Sequence, residues 1–187
     1  MAEILAETGL EIRTLADYPG ADTEVEETGS TYGENAELKV LAGIAATGEV
    51  CIADDAGLEI DALGGQPGLF SRRFLGESTP FPEKMKRILE MLREVPEAER
   101  GCRFNCAVAI ASPDGRVIHC NGMCEGRIAH EMRGQFGFGY DPIFLIPELG
   151  LHMAELAPEE KRKISHRGKA LACAARVLGE IFGTHSG

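Results

Sequence analysis

The stretch Cys51-Ile52-Ala53-Asp54-Asp55-Ala56-Gly57, continuing through a glycine- and proline-rich segment to Gly68, constrains this chain more than any other. A short apolar run, residues 50–53, reads as a buried strand. It ends in two adjacent carboxylates, and Ala56-Gly57 then predicts a turn. In a parallel α/β sheet the carboxyl end of a strand opens into the crevice where ligands bind. Successive side chains of a strand point to opposite faces, so Asp54 and Asp55 meet different surroundings. One can reach into a cleft while the other is held by backbone or by a cation. The pair also suits the simple start of a turn, where Asp is common. The remainder of the chain has to decide between these readings.

That remainder has the profile of an ordinary globular protein. Its 187 residues are 44% hydrophobic and 26% charged, enough for one α/β domain over residues 1–187 with a sizeable core. Nineteen basic against 30 acidic side chains give a net charge of −11. Such a surface repels polyanions, which argues against nucleic acid as a partner. It permits a small phosphorylated ligand where basic residues are concentrated. No run approaches the roughly 18 apolar residues needed to cross a bilayer, and no signal-peptide pattern opens the chain, so no membrane partner and a cytoplasmic address are expected. Six cysteines include two C-x3-C pairs, Cys102/Cys106 and Cys120/Cys124. These can serve a structural zinc, or can be reduced thiols that pack as small hydrophobes in a reducing cytosol.

Periodicity and punctuation place the elements. Residues 2–8 predict a helix ended by Gly9, residues 10–15 a strand, residues 17–22 a turn and residues 25–29 a polar loop. A helix over residues 32–46 is capped by Thr31, with Glu34 completing a capping box, and stops at Gly48. A third helix, residues 81–92, carries Met85, Ile88, Leu89 and Leu92 on one face. Strands over 103–111 and 117–120 are joined by Ser112-Pro113-Asp114-Gly115, a hairpin signal, and a third strand is expected around Ile128. A glycine-spaced aromatic loop, residues 136–142, leads into an apolar run at 143–146. The last helix is expected from residue 165 to about 182. Helices alternating with strands, plus a hairpin, indicate an α/β fold with a mixed sheet.

Three further clusters carry candidate chemistry. In the acid pair Glu26-Glu27, Glu26 with Asp55 offers carboxylate oxygens of the kind magnesium takes, if the fold brings them together; otherwise the pair is a solvated acidic loop. Residues 161–169 hold five of the chain's basic side chains, Lys161, Arg162, Lys163, Arg167 and Lys169, together with His166. Placed at a helix start, they suit an anionic ligand; otherwise they form a solvated helix end. In Phe138-Gly139-Tyr140-Asp141, glycines on both sides of Phe138 leave room for a flat ligand against its ring, a contact worth roughly 1–3 kcal/mol. The same residues also suit a core Phe in a tight turn.

Taken together, EETG at 26–29, ENAELK at 34–39, IADDAGLEIDALGGQPG at 52–68, FGYDPIF at 138–144, MAELAPEEK at 153–161 and ISHRG at 164–168 resemble the inosine triphosphate pyrophosphatases. These enzymes hydrolyse non-standard purine nucleoside triphosphates, and the likeness runs from about residue 3 to 175. The resemblance implies an elongated sheet flanked by helices, in two lobes with the active site in the cleft between them. It implies a homodimer, a Mg2+ cofactor, and conversion of ITP, dITP and XTP to monophosphate and pyrophosphate. Asp55 matches the general base and, with Glu26, the metal carboxylates, Asp54 lying alongside. Lys39 and Lys161 match lysines near the phosphates, and the backbone of Ala56 stands where the family has Ser. Phe138, with Gly139 and Tyr140 in the same motif, matches the purine platform. Asp141, His166 and Arg167 match the groups that read the 6-oxo edge.

Departures accompany the likeness. Gly33, His152 and Arg162 differ from the usual residues, which bears on fine specificity. Nothing in the chain corresponds to the family's first apolar strand and T-x-N-x-x-K phosphate loop, which are expected in frame upstream of Met1. Two other functions compete: an inactive nucleotide-binding or assembly paralogue that keeps the base pocket, and a zinc-stabilised interaction module.

Overall fold

The computed structural model describes residues 2–21 and 25–182. Among these residues five strands are present: β1 (Cys51–Ile60), β2 (Gly101–Ala111), β3 (Val117–Ile128), β4 (Phe144–Ile146) and β5 (Leu151–His152). The helices are α1 (Ala2–Leu5), α2 (Tyr32–Thr47), α3 (Phe81–Met91), α4 (Pro158–Ile164) and α5 (His166–Phe182). Each strand lies beside its predecessor in the order β1-β2-β3-β4-β5. Antiparallel registers pair Ile128 with Phe144, and Leu145 with His152. The α/β class therefore holds. The pairs β3–β4 and β4–β5 are antiparallel.

Local chemistry sets most boundaries. Thr31 accepts the Glu34 N–H at 3.1 Å and starts α2. The Glu34 carboxylate closes on the Ser30 N–H and hydroxyl, at 2.6 and 2.7 Å, so the reciprocal half of the cap is displaced by one residue. Gly48, at φ 70°, ends the helix by donating to the Ile44 carbonyl at 2.7 Å. The β2–β3 hairpin closes as expected, with the Gly115 N–H on the Ser112 carbonyl at 2.9 Å.

Other expectations are corrected. Residues 10–15 form no strand; Ile12 and Leu15 are exposed, and period-two alternation alone gives them nothing to pack on. The acid pair does not begin a turn, because β1 runs on through Asp54 and Asp55 to Ile60. Buried Gly57 and Leu58 continue the strand where local residue preference suggests a bend. The separate strand near Ile128 is the far end of β3. The turn at 17–22 is present as far as Ala21, whose N–H meets the Tyr18 carbonyl at 3.1 Å; Asp22 lies outside the described residues.

The chain divides into two compact units. The first comprises residues 1–55, 106–122 and 166–187. Its sheet residues pack on α2 through small side chains, Ala36 and Val40 against Ala109 and Ala111. A Cβ at Gly43 would lie 3.0 Å from the Cys51 Sγ, which shows how closely α2 approaches β1. On α5, Ala170, Leu171 and Ala174 are buried, and α1 packs on the same helix.

The second unit, residues 56–105 and 123–165, has the larger apolar core. Phe104 stacks on Phe144 with ring centroids 4.4 Å apart, and Ile88 of the amphipathic α3 and Leu92 just after it are fully buried. Arg100 is sealed inside, donating to the carbonyls of Leu92, Ile128 and Ala129 at 2.5, 2.8 and 2.9 Å. One guanidinium thus satisfies the end of α3 and the end of β3 together. No helix among the described residues is long and apolar enough to cross a membrane.

Candidate active site

The acid pair divides its partners as strand alternation requires. Asp55 is 9% exposed. Its Oδ2 accepts from the Asn35 side-chain amide at 3.1 Å and its Oδ1 from the Lys39 ammonium at 3.0 Å. Asn35 and Lys39 are four residues apart on α2, so one helix face presents both. Lys39 also reaches the Asp54 carbonyl at 3.1 Å and the Glu27 carboxylate at 2.8 Å. Desolvation is the largest influence on Lys39 and pulls its pKa down. The hydrogen bonds and charges of Glu27 and Asp55 together outweigh it and hold the group above the ordinary lysine value.

Asp54 faces other partners. Its Oδ2 accepts from the Arg167 Nε at 2.9 Å and from the second guanidinium nitrogen at 2.8 Å. The Cys106 thiol lies 3.8 Å from the same oxygen. Burial first, and the Asp54 charge second, push that thiol up to about 12, so it stays protonated. His166 precedes Arg167 as the first residue of α5 and is buried.

The acidic loop is anchored by Asn35, which is 1% exposed and accepts the Gly29 N–H at 2.8 Å. A Cβ at Gly29 would stand 2.7 Å from that amide oxygen and from the Glu34 Cβ, so the EETG–ENxxxK spacing has a steric cause. Glu26, expected as a metal ligand, is exposed, and Glu27 is the glutamate that joins the cluster. Around Lys39 stand two carboxylate oxygens and a carbonyl oxygen, an oxygen-only donor set that already accommodates one cation. Hard divalent cations such as magnesium take this donor type.

The second unit carries the aromatic turn. Gly137 and Gly139 adopt φ of 78° and 65°, folding residues 137–141 so that Phe138 is 61% exposed. Asp141, 2% exposed, accepts the Phe138 N–H at 2.7 Å and an ion pair from Lys161. The Lys161 ammonium stands 4.6 Å from the Phe138 ring centroid. Lys161 was expected near phosphates; its contacts here are with the aromatic turn. A Cβ at Gly137 would fall 2.1 Å from the Asp141 Oδ2, so only glycine fits. The Tyr140 side chain is part of the core: its hydroxyl donates to the Ser71 carbonyl at 2.8 Å and its ring meets Phe81 edge-on. Ala56 lies half-buried on β1.

Two placements depart from the sequence reading. Lys161, Arg162 and Lys163 occupy the last turn of α4, not the start of a helix, where cations complement the carbonyl end. The four paired cysteines are not gathered for zinc. Cys102 and Cys124 belong to the second unit's core, while Cys120 meets Cys173 in the first. No group of three or more His, Cys, Asp or Glu able to hold a metal is found among the described residues. Sequence reasoning missed Asn35, and the i, i+4 spacing to Lys39 was the available signal.

Comparison with known proteins identifies the family. The family model of the Ham1 family matches residues 1–176. A dITP/XTP pyrophosphatase of Desulforamulus reducens is 46% identical over 182 residues, 97% of this chain and 90% of that protein. One from Geobacillus kaustophilus is 46% identical over 97% of this chain and 89% of its own length. The structure of a HAM1 protein from Coxiella burnetii superposes with a TM-score of 0.85 at 39% identity, covering 96% of this chain and 95% of that one. The Ham1 protein of Staphylococcus aureus gives a TM-score of 0.80 at 40% identity, over 86% of this chain and 82% of that one. The family model over residues 1–176 and relatives at 46% identity show that the chain belongs to the Ham1 family.

Proposed function

We propose that this protein hydrolyses non-standard purine nucleoside triphosphates, dITP, XTP and ITP, to the monophosphate and pyrophosphate, clearing them from the nucleotide pool. Relatives named for dITP and XTP support the substrate class. The observation that carries the chemistry is Asp55: a nearly buried carboxylate fixed between Asn35 and Lys39, beside Glu27. Each of its oxygens keeps a second lone pair, so it can take a proton from a water aimed at the α-phosphorus. Lys39, held charged by its carboxylate neighbours, supplies a cation for phosphate oxygens that gain charge as the bond to the pyrophosphate breaks. Glu27 and Asp55, with Glu26 nearby in sequence, are the carboxylates that would hold magnesium, which when bound neutralises phosphate charge.

Phe138 serves as the platform for the purine. Arg167 and His166 act as donors toward the 6-oxo group, with Asp54 aiming Arg167. Adenine presents a donor there and leaves a buried donor unpaired, at about 1–3 kcal/mol per group. A homodimer acting in the cytoplasm is part of the same proposal. The deciding measurement is pyrophosphate release from dITP, XTP and ATP with magnesium. Release from the first two and not from ATP is expected. Tight binding of dITP without turnover would instead identify a nucleotide-binding paralogue.

A further inference from the structure

Outside the acid cluster and the aromatic turn, a pair of nucleophilic side chains meets where β3 approaches α5. Cys120 and Cys173 are 53 residues apart in the chain, yet their Sγ atoms lie 2.6 Å apart. Both are free thiols. A disulfide bond is about 2.05 Å long, so closure needs a movement of about half an ångström. The backbone holds the two elements at this distance. A Cβ on Gly122 would stand 2.1 Å from the His166 carbonyl oxygen and 2.6 Å from the Ala170 nitrogen, so strand and helix are in direct contact beside the thiols.

We propose that Cys120 and Cys173 form a site of reversible oxidative cross-linking, closed by a low-molecular-weight disulfide. The two thiols have different roles. Cys120 is buried, and burial first, then its hydrogen bond with Cys173, push its pKa up to about 12. Cys173 is half-buried on α5 and is the sulfur an oxidant reaches first. Its thiolate attacks one sulfur of the small disulfide, breaking that S–S bond and releasing one small thiol. Cys120 then loses its proton and attacks the Cys173 sulfur, and the second small thiol departs with that proton. The protein dithiol loses two electrons and two protons, and the small disulfide gains them. The bridge ties α5, which begins with His166 and Arg167, to β3. This site does not depend on the catalytic reading.

The test is to remove reductant from the folded full chain, incubate it with glutathione disulfide, alkylate after unfolding, and map peptides by mass. The expected product lacks two hydrogens and links Cys120 to Cys173. The other four cysteines are recovered alkylated. Its melting temperature exceeds that of the reduced chain by roughly 5–10 °C, and dithiothreitol reverses both changes. Cys173→Ser abolishes the link and the shift. Recovery of both cysteines alkylated, persistent glutathione on Cys173, or a link to another cysteine would each overturn the proposal. The mapping of the unmodified chain decides even if the variant folds poorly.

Discussion

Asp55 in the first unit and Asp141 in the second are both buried carboxylates paired with a lysine, and they are held in opposite ways. Asp55 sits on a regular strand, and both recorded partners of its oxygens are side chains, Asn35 and Lys39, carried by a helix. Its lysine is shared with Glu27 and is more exposed than the lysine of Asp141. Asp141 sits in a tight turn, accepts a backbone N–H of that turn, and lies where Gly137 leaves no space for a Cβ. Side-chain partners can be exchanged for a water proton or a phosphate without unfolding the backbone. A carboxylate tied to the main chain of its own turn cannot move without opening that turn. The first arrangement suits a group that reacts, and the second suits a brace that presents Phe138.

Replacing Asp55 tests that contrast most severely. Asp55→Asn keeps the shape and removes the base, so kcat should fall roughly 10²–10⁴-fold, while its amide turns a donor toward Asn35 or Lys39 and lowers stability by roughly 1–3 kcal/mol. A kcat within a few-fold of the parent would remove Asp55 from the chemistry. Gly137→Ala makes the complementary test. The left-handed backbone costs an L-residue roughly 1–3 kcal/mol, and the new Cβ also collides with Asp141. The melting temperature should drop and KM should rise. Parental stability would mean that the turn is not locked as described.

The contrast also explains what the sequence could reveal. Features governed by neighbouring residues were legible: α2 between Thr31 and Gly48, the apolar face of α3, and the hairpin at Ser112–Gly115. The aromatic turn was legible too, because its glycines and Asp141 lie within five residues. The partners of Asp55 were not, since Asn35 and Lys39 approach it only through packing of α2 on β1. The same holds for β1 itself, where local preference for a turn after the acids yields to burial of Gly57 and Leu58. The need for Gly122 inside β3 was not legible either, since its cause, the close approach of α5, lies more than 40 residues away. Residues 10–15 failed in the other direction: alternation was present, but no apolar face receives it. In α4 the signal was there and unread, with Pro158 at the first turn, acids next and three cations in the last turn.

Two smaller effects sharpen the comparison. Phe138→Ala should leave stability within about 0.5 kcal/mol, because the ring is largely exposed, yet weaken substrate binding by roughly 1–3 kcal/mol, read as a rise in KM for dITP. Equal KM values would mean the ring is no platform. The smallest effect is in the pH dependence of folding. The Lys39 pKa is raised in the folded chain, so between the unfolded value and the raised one the native state binds more protons than the unfolded state. Stability carried by this group is therefore fully present below the ordinary lysine range and is lost as pH rises through the raised value. Urea midpoints followed from pH 8 to 11 should fall more steeply for the parent than for Lys39→Met, which lacks the group. Parallel curves would show that Glu27 and Asp55 do not hold the ammonium in solution. The acid cluster would then be as loosely tied as its side-chain partners allow, while the aromatic turn kept its backbone lock.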